Sequence, residues 1–302
     1  MRLWILPAFL FSSLALAQIS YPIAEFNQRL GLAPGAGPTY EFQGAQITTE
    51  LLAGRLYRLE YQGPTENLAQ AGQVVAAAMG IPELAASFSG FLLQNTAQLA
   101  AENMAIEVGI GDGYLLMLQL VDDQIKYTLS PAMADNLPDP KRPQGQGAVV
   151  IREFSEFECP FCKQMFLQAL PKVRNELIQT GKAQISFYHF PLYTIHPSAF
   201  SAAEASACAE EQDKFWQYHD ALFTLGLNNY WAVAEDVGLD TAAFAQCFAE
   251  RRYKAEIENE QAQARELGVN ATPTVYVGPF KLPNPHDPET YLRYVEMAAE
   301  LE

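Results

Sequence analysis

The chain has 302 residues, 49% of them hydrophobic and 18% charged, which is enough apolar material for more than one core and too apolar for a disordered chain. Its formal net charge is -16. An acidic surface repels polyphosphates and anionic lipid, so nucleic acid and membrane-surface partners are disfavoured and the charge reads most simply as solubility.

At the amino terminus, Arg2 precedes an apolar run over residues 3–11, followed by Ser12, Ser13 and Ala15-Leu16-Ala17. This is the pattern of a secretory signal over residues 1–17, cleaved after Ala17. The run is short for a membrane span, and an uncleaved anchor is the alternative. Export places the mature chain in an oxidising periplasmic or extracellular space.

Residues 18–130 read as a smaller α+β domain of unknown role. Strand character lies over 56–61, helix formers over 66–79, and a three-strand meander over 104–130 turns at Gly111-Asp112-Gly113 and Asp122-Asp123. In its middle strand both alternating sets, Tyr114/Leu116/Leu118/Leu120 and Leu115/Met117/Val121, are apolar. That strand is predicted to be covered on both faces, by its own helices or by another subunit. The region has no His and no Cys, and Glu102, Glu107, Asp112, Asp122 and Asp123 lack the spacing of a calcium loop. Over 131–147, Pro131, Pro138, Pro140, Pro143, Gly145 and Gly147 crowd among polar residues, the composition of a linker.

Residues 148–302 form the second predicted domain. A strand over 149–154 puts Val149, Ile151 and Glu153 on one face, so Glu153 is aligned with buried neighbours. Cys159-Pro160-Phe161-Cys162 follows where this apolar run gives way to a helical pattern. A cysteine at a helix start lies beside unpaired amides and the positive end of the helix dipole, which favours its thiolate and makes Cys159 a candidate nucleophile. Pro160 suits the first helical position, and Cys162, Phe166, Leu170, Val173 and Leu177 mark the buried stripe. Cys162 is therefore expected inward, Cys159 at the exposed helix start, and a bend at Pro171.

A second strand is predicted over 183–190 and a helical block over about 196–267, with helices at 197–209, 213–225, 241–250 and 251–267. Asp240 is the expected cap of the third and Gly268 the expected stop of the last. A short strand over 275–277 follows Thr272-Pro273, and a helix over 289–301 closes the chain. Cys208 and Cys247 make the cysteine count even. In an exported protein they are most simply a structural disulfide, worth about 4 kcal/mol by the loop-entropy argument. A four-cysteine zinc site is the alternative, although the pair lacks knuckle spacing.

Four stretches taken together, Glu-Phe-Ser-Glu-Phe-Glu-Cys-Pro-Phe-Cys (153–162), His-Phe-Pro-Leu (189–192) with His196-Pro197, Cys-Ala-Glu-Glu-Gln-Asp-Lys-Phe-Trp-Gln-Tyr-His-Asp-Ala-Leu-Phe (208–223) and Gly-Val-Asn-Ala-Thr-Pro-Thr (268–274), resemble the DsbA-like branch of the thioredoxin superfamily. The resemblance covers about residues 148–301 and leaves 18–140 unassigned. It implies an α/β thioredoxin fold with a helical insertion, and a thiol-disulfide oxidoreductase that acts on exported polypeptides without a cofactor or metal. Cys159 would form the mixed disulfide and Cys162 resolve it. Glu153 would take the proton of Cys162, which requires a carboxyl raised by burial. Pro160 and Phe161, with Thr272 and a cis Pro273, would border the substrate chain. Strongly oxidising members carry histidine in the variable pair. Phe161 cannot donate or carry charge, so a less acidified Cys159 is expected.

The resemblance also implies a redox partner that resets the dithiol. Three alternatives stand beside it. A disulfide isomerase or reductase could dimerise through the amino-terminal domain, a thioredoxin-fold chaperone could bind metal, and an adaptor could retain a vestigial dithiol. Among the histidines, His189 and His196 are candidates to line the groove or to hydrogen-bond a loop, His219 to pack in its helix, and His286 to sit in a turn.

Overall fold

A computed structural model describes residues 2–4, 19–32, 38–102, 104–227 and 229–302. The predicted signal segment lies outside the described residues except at Arg2–Trp4, which form strand β1 parallel to β5. The chain divides into two compact units, residues 1–133 and 134–300.

The first unit is α+β. Helix α1 (Ile23–Leu30) precedes strands β2 (Thr39–Phe42), β3 (Ala45–Leu52) and β4 (Arg55–Pro64), and helices α2 (Leu68–Met79) and α3 (Leu84–Ala101) precede β5 (Ile106–Gly109), β6 (Tyr114–Val121) and β7 (Gln124–Pro131). The strands join in the order β1-β5-β6-β7-β4-β3-β2. The meander and its turns fall where the alternation and the glycine and aspartate pairs put them. Gly72 lets α2 approach α3: a Cβ there would lie 2.2 Å from the Ala85 carbonyl oxygen. Tyr127 donates to Ala71 O at 3.0 Å and stacks on Tyr61, linking helix layer to sheet.

The two faces of β6 are not equally covered within the chain. Tyr114, Leu116, Leu118 and Leu120 are buried, whereas Leu115, Met117, Gln119 and Val121 are only half-buried. Met117 stands beside Thr128 and Gln119 beside Lys126 on β7. Polar neighbours of this kind leave the second face partly open within the chain, as antiparallel sheets permit.

The second unit holds a four-stranded sheet in the order β11-β10-β8-β9, from β8 (Val149–Ser155), β9 (Ala183–His189), β10 (Thr274–Val277) and β11 (Phe280–Lys281). Strand β8 runs parallel to β9 and antiparallel to β10. Helix α4 (Pro160–Gln168) leads into α5 (Leu170–Val173) and a π turn (Arg174–Ile178). The break falls at Ala169, because Pro171 has no amide to continue the ladder. Helices α6 (Ala199–Glu210), α7 (Phe215–Leu225), α8 (Tyr230–Asp236), α9 (Thr241–Ala249) and α10 (Lys254–Glu266) form the inserted block, and α11 (Pro288–Ala298) closes the unit. Asp240 caps α9 through Ala242 N and Ala243 N, and Cys208 is bonded to Cys247 across α6 and α9, S–S 2.00 Å.

The proline- and glycine-rich stretch packs along β9. Gln144 pairs antiparallel with Ile185, and the Lys141 amide donates to Ser186 Oγ at 2.5 Å. The Arg142 side chain is fully buried, donates to Phe187 O and pairs with Glu210, Glu256 and Glu260. Glu260 also accepts from the His189 amide at 2.7 Å.

Candidate active site

Strand β8 ends beside the sheet's centre, and the loop 156–158 delivers Cys159 to the cap position of α4. Its backbone is extended, φ -68° and ψ 121°, and Pro160 opens the helix without wasting a donor. The helical spacing then turns Cys162 fully inward. Cys159 is also largely covered, 3% exposed, which corrects the expectation of an open helix start. As a thiol its Sγ donates to Thr272 O at 3.5 Å, and the Thr272-Pro273 bond of that facing loop is cis. Sequence spacing sets the helix position of Cys159, but the cover comes from a loop more than a hundred residues away.

The two sulfurs are pushed in opposite directions. Cys159 is lowered to about 5, chiefly by the Cys162 thiol donating to it, with smaller help from the Thr272 side chain and the amides of Cys162 and Phe161, and against the effect of burial. Burial pushes Cys162 well up, and the neighbouring Cys159 adds to this. A nucleophilic thiolate beside a protonated thiol is the electrostatic arrangement that disulfide exchange uses.

Glu153 is buried on β8, and neither carboxyl oxygen has a hydrogen-bond partner. Burial raises it to about 7, while the nearby Ser155 hydroxyl and the Arg174 charge pull the other way. A carboxyl poised near neutrality can exchange a proton.

A second buried acid was not singled out from the sequence. Glu156 pairs with His196 Nδ1 and accepts from the Glu158 amide at 2.6 Å, and Glu158 in turn accepts from the Ser198 amide at 2.6 Å. These bonds stitch the loop before the dithiol to the loop before α6. Glu156 is raised by burial and, less strongly, by Cys159. Its place in the Glu-Phe-Glu-Cys run was the available signal, but its partner lies 40 residues on.

The histidines separate clearly. His196 binds a loop acid beside the dithiol, whereas His189 is fully buried among Phe157, Phe187 and Phe215. His219 is packed among aromatic rings and bonded to Asp220. His286 sits in the turn before α11, as expected, and from there it stands against Phe161. Phe161 itself is 59% exposed. Among the described residues no cluster of three or more His, Cys, Asp or Glu is arranged to hold a metal ion, and no helix is long and apolar enough to cross a membrane.

Comparison with known proteins matches residues 144–297 to a family model described as thioredoxin. A Na(+)/H(+) antiporter NhaA 3 of Salinispora tropica is 34% identical over 158 residues, covering 48% of this chain and 24% of the antiporter. A probable disulfide bond formation protein D of Bacillus anthracis is 26% identical over 140 residues, covering 43% of this chain and 64% of that protein. The chain thus spans about a quarter of the antiporters' length and under two thirds of the latter's. Among solved structures, oxidised BdbD from Bacillus subtilis superposes with a TM-score of 0.50 at 20% identity, over 56% of this chain and 98% of that one. That likeness concerns the fold, an α/β domain with a helical insertion that follows an α+β unit.

Proposed function

The chain belongs to the thioredoxin family, and from that premise we propose that it is an exported thiol-disulfide oxidoreductase that exchanges disulfides with polypeptides through Cys159 and Cys162. The observation that carries the reading is the opposed pair of sulfurs at one helix start, Cys159 lowered and Cys162 raised, beside the cis Thr272-Pro273 loop. The name of the Bacillus anthracis relative, a probable disulfide bond formation protein, points the same way.

The reduced protein attacks through the Cys159 thiolate. One substrate S–S bond breaks, a Cys159–substrate bond forms, and the departing sulfur takes the electron pair. Cys162 then loses its proton to Glu153 and attacks Cys159, releasing the substrate as a dithiol and leaving the protein as the disulfide. The same steps reversed oxidise a substrate dithiol. A redox partner outside the chain resets the pair. Phe161, exposed on the dithiol helix, and Tyr193 and Ile195, exposed on the loop tied by Glu156–His196, are apolar side chains that an unfolded client can cover, and Pro160, Thr272 and Pro273 are the further residues proposed to border it.

Replacing Cys159 by serine is expected to abolish both insulin reduction and oxidation of a reduced client, and Cys162→Ser to accumulate mixed disulfides visible on non-reducing gels. Unchanged turnover in the Cys159 variant would reject the reading.

A further inference from the structure

We propose that His286 is a positioning residue for the dithiol, donating through Nε2–H to the Phe161 carbonyl and polarising a peptide group in the first turn of the helix that Cys159 caps. The inference rests on the exchange reading of the site and goes beyond it, since His286 lies outside both the dithiol and the facing cis-proline loop.

His286 Nε2 lies 3.1 Å from Phe161 O. A carbonyl oxygen can only accept, so Nε2 carries the proton. The ring meets Phe161 edge-on, centroids 6.3 Å apart at 70°. The Phe161 carbonyl and the Cys162 amide are two ends of one conjugated peptide unit. Drawing electron density toward its oxygen makes its N–H a stronger donor, and linked hydrogen bonds strengthen one another by about 10–30% each. Cys159 caps α4, with Phe161 and Cys162 the second and third residues of its first turn, where unpaired amides favour a thiolate at the cap, the direction in which the Cys162 and Phe161 amides act on Cys159. The chain of influence runs from imidazole to carbonyl, along the peptide to its N–H, and on to Cys159.

The loop that carries His286 is built to hold it. Pro283, Pro285 and Pro288 fix φ on either side. Asn284 Oδ1 accepts from the His286 amide at 3.1 Å, and Pro285 O accepts from the hydroxyl of buried Tyr291 at 3.0 Å. Asp287 then caps α11, accepting from the Glu289 amide at 3.1 Å and the Thr290 hydroxyl at 2.9 Å. Phe161 has no donor of its own to offer the thiolate from its side chain, and the imidazole reaches the same helix turn from the far end of the chain.

The test uses the full chain with His286→Phe, which keeps an aromatic ring against Phe161 and removes the donor, and His286→Gln, which keeps an N–H donor. Two quantities are measured: equilibrium with glutathione, in which the protein disulfide and two glutathione thiols give the dithiol and glutathione disulfide, and thiolate absorbance of the reduced protein against pH. In the Phe variant the equilibrium constant for reduction is expected to fall about threefold, about 14 mV at 29.6 mV per decade. The thiolate midpoint should rise with it, and the Gln variant should stay near wild type. A Phe variant equal to wild type in both measurements, or a Gln variant displaced as far as Phe, overturns the proposal. Should the wild type fail to exchange with glutathione at all, the enzymatic reading fails, and thiolate absorbance still decides whether His286 acts on Cys159.

Discussion

Glu153 ties stability to pH. Burial raises it from 4.5 to about 7, so the folded chain holds a proton that the unfolded chain releases between those values. The stabilisation is complete below the unfolded value and is lost as pH rises through the folded one, on the order of 3 kcal/mol. Urea unfolding of the reduced protein is therefore expected to weaken from about pH 4.5 to about pH 8, and Glu153→Gln to remove that part of the slope. A slope unchanged in the variant would show that the carboxyl is not the titrating group. The position was legible because a strand has period two, which put Glu153 with Val149 and Ile151 on one buried face. His286 was not legible as a partner of Phe161, which lies 125 residues away. No local period connects residues at that distance.

At the scale of elements, the ion network under β9 binds the stretch 134–147 to the helical block. Arg142 and Glu260 are both fully buried at their side chains and meet at 2.8 Å. Removing one partner of a buried pair leaves the other without full compensation, so Arg142→Ala is expected to cost about 3–5 kcal/mol, read as a lower urea midpoint. A loss of a few tenths instead would mean that solvent relieves Glu260. Composition alone suggests a tether here, because prolines and glycines prevent a helix or an inner strand. They do not prevent packing of a single extended segment, and the charges that fasten Arg142 come from α6 and α10, 68 to 118 residues later. Helix positions with strong caps were easier to read: Asp240 begins α9 through two local bonds. The short α8 is capped in the same way, by Asn229 through Trp231 N and Ala232 N, whereas the neutral α3 has no such mark. Leu84–Ala101 contains no charged residue to outline an amphipathic face.

Across the whole molecule, the dithiol, Glu153, Glu156, His196, His286 and the Thr272-Pro273 loop all belong to the unit 134–300. A fragment comprising residues 134–302 is therefore expected to unfold cooperatively and to exchange thiols with glutathione within about twofold of the full chain, since each unit has a core of its own. A tenfold or greater loss would assign the first unit a part in the chemistry. The half-buried face of β6 belongs to that first unit, and its alternation of buried and partly open residues follows from helices covering one side of the sheet.

The amino-acid order by itself determined the succession strand, helix, strand, helical block, strand, helix in the second unit, though not α8 or β11 within it, and with it the helix-start position of Cys159, the inward turn of Cys162 and the burial of Glu153. These depend on repeats of two and 3.6 residues and on caps a few positions away. Tertiary structure alone decided the cover over Cys159, the Glu156–His196 tie and the approach of His286 to Phe161. Each joins residues tens to more than a hundred positions apart, and only the closing of the chain around its core sets such distances.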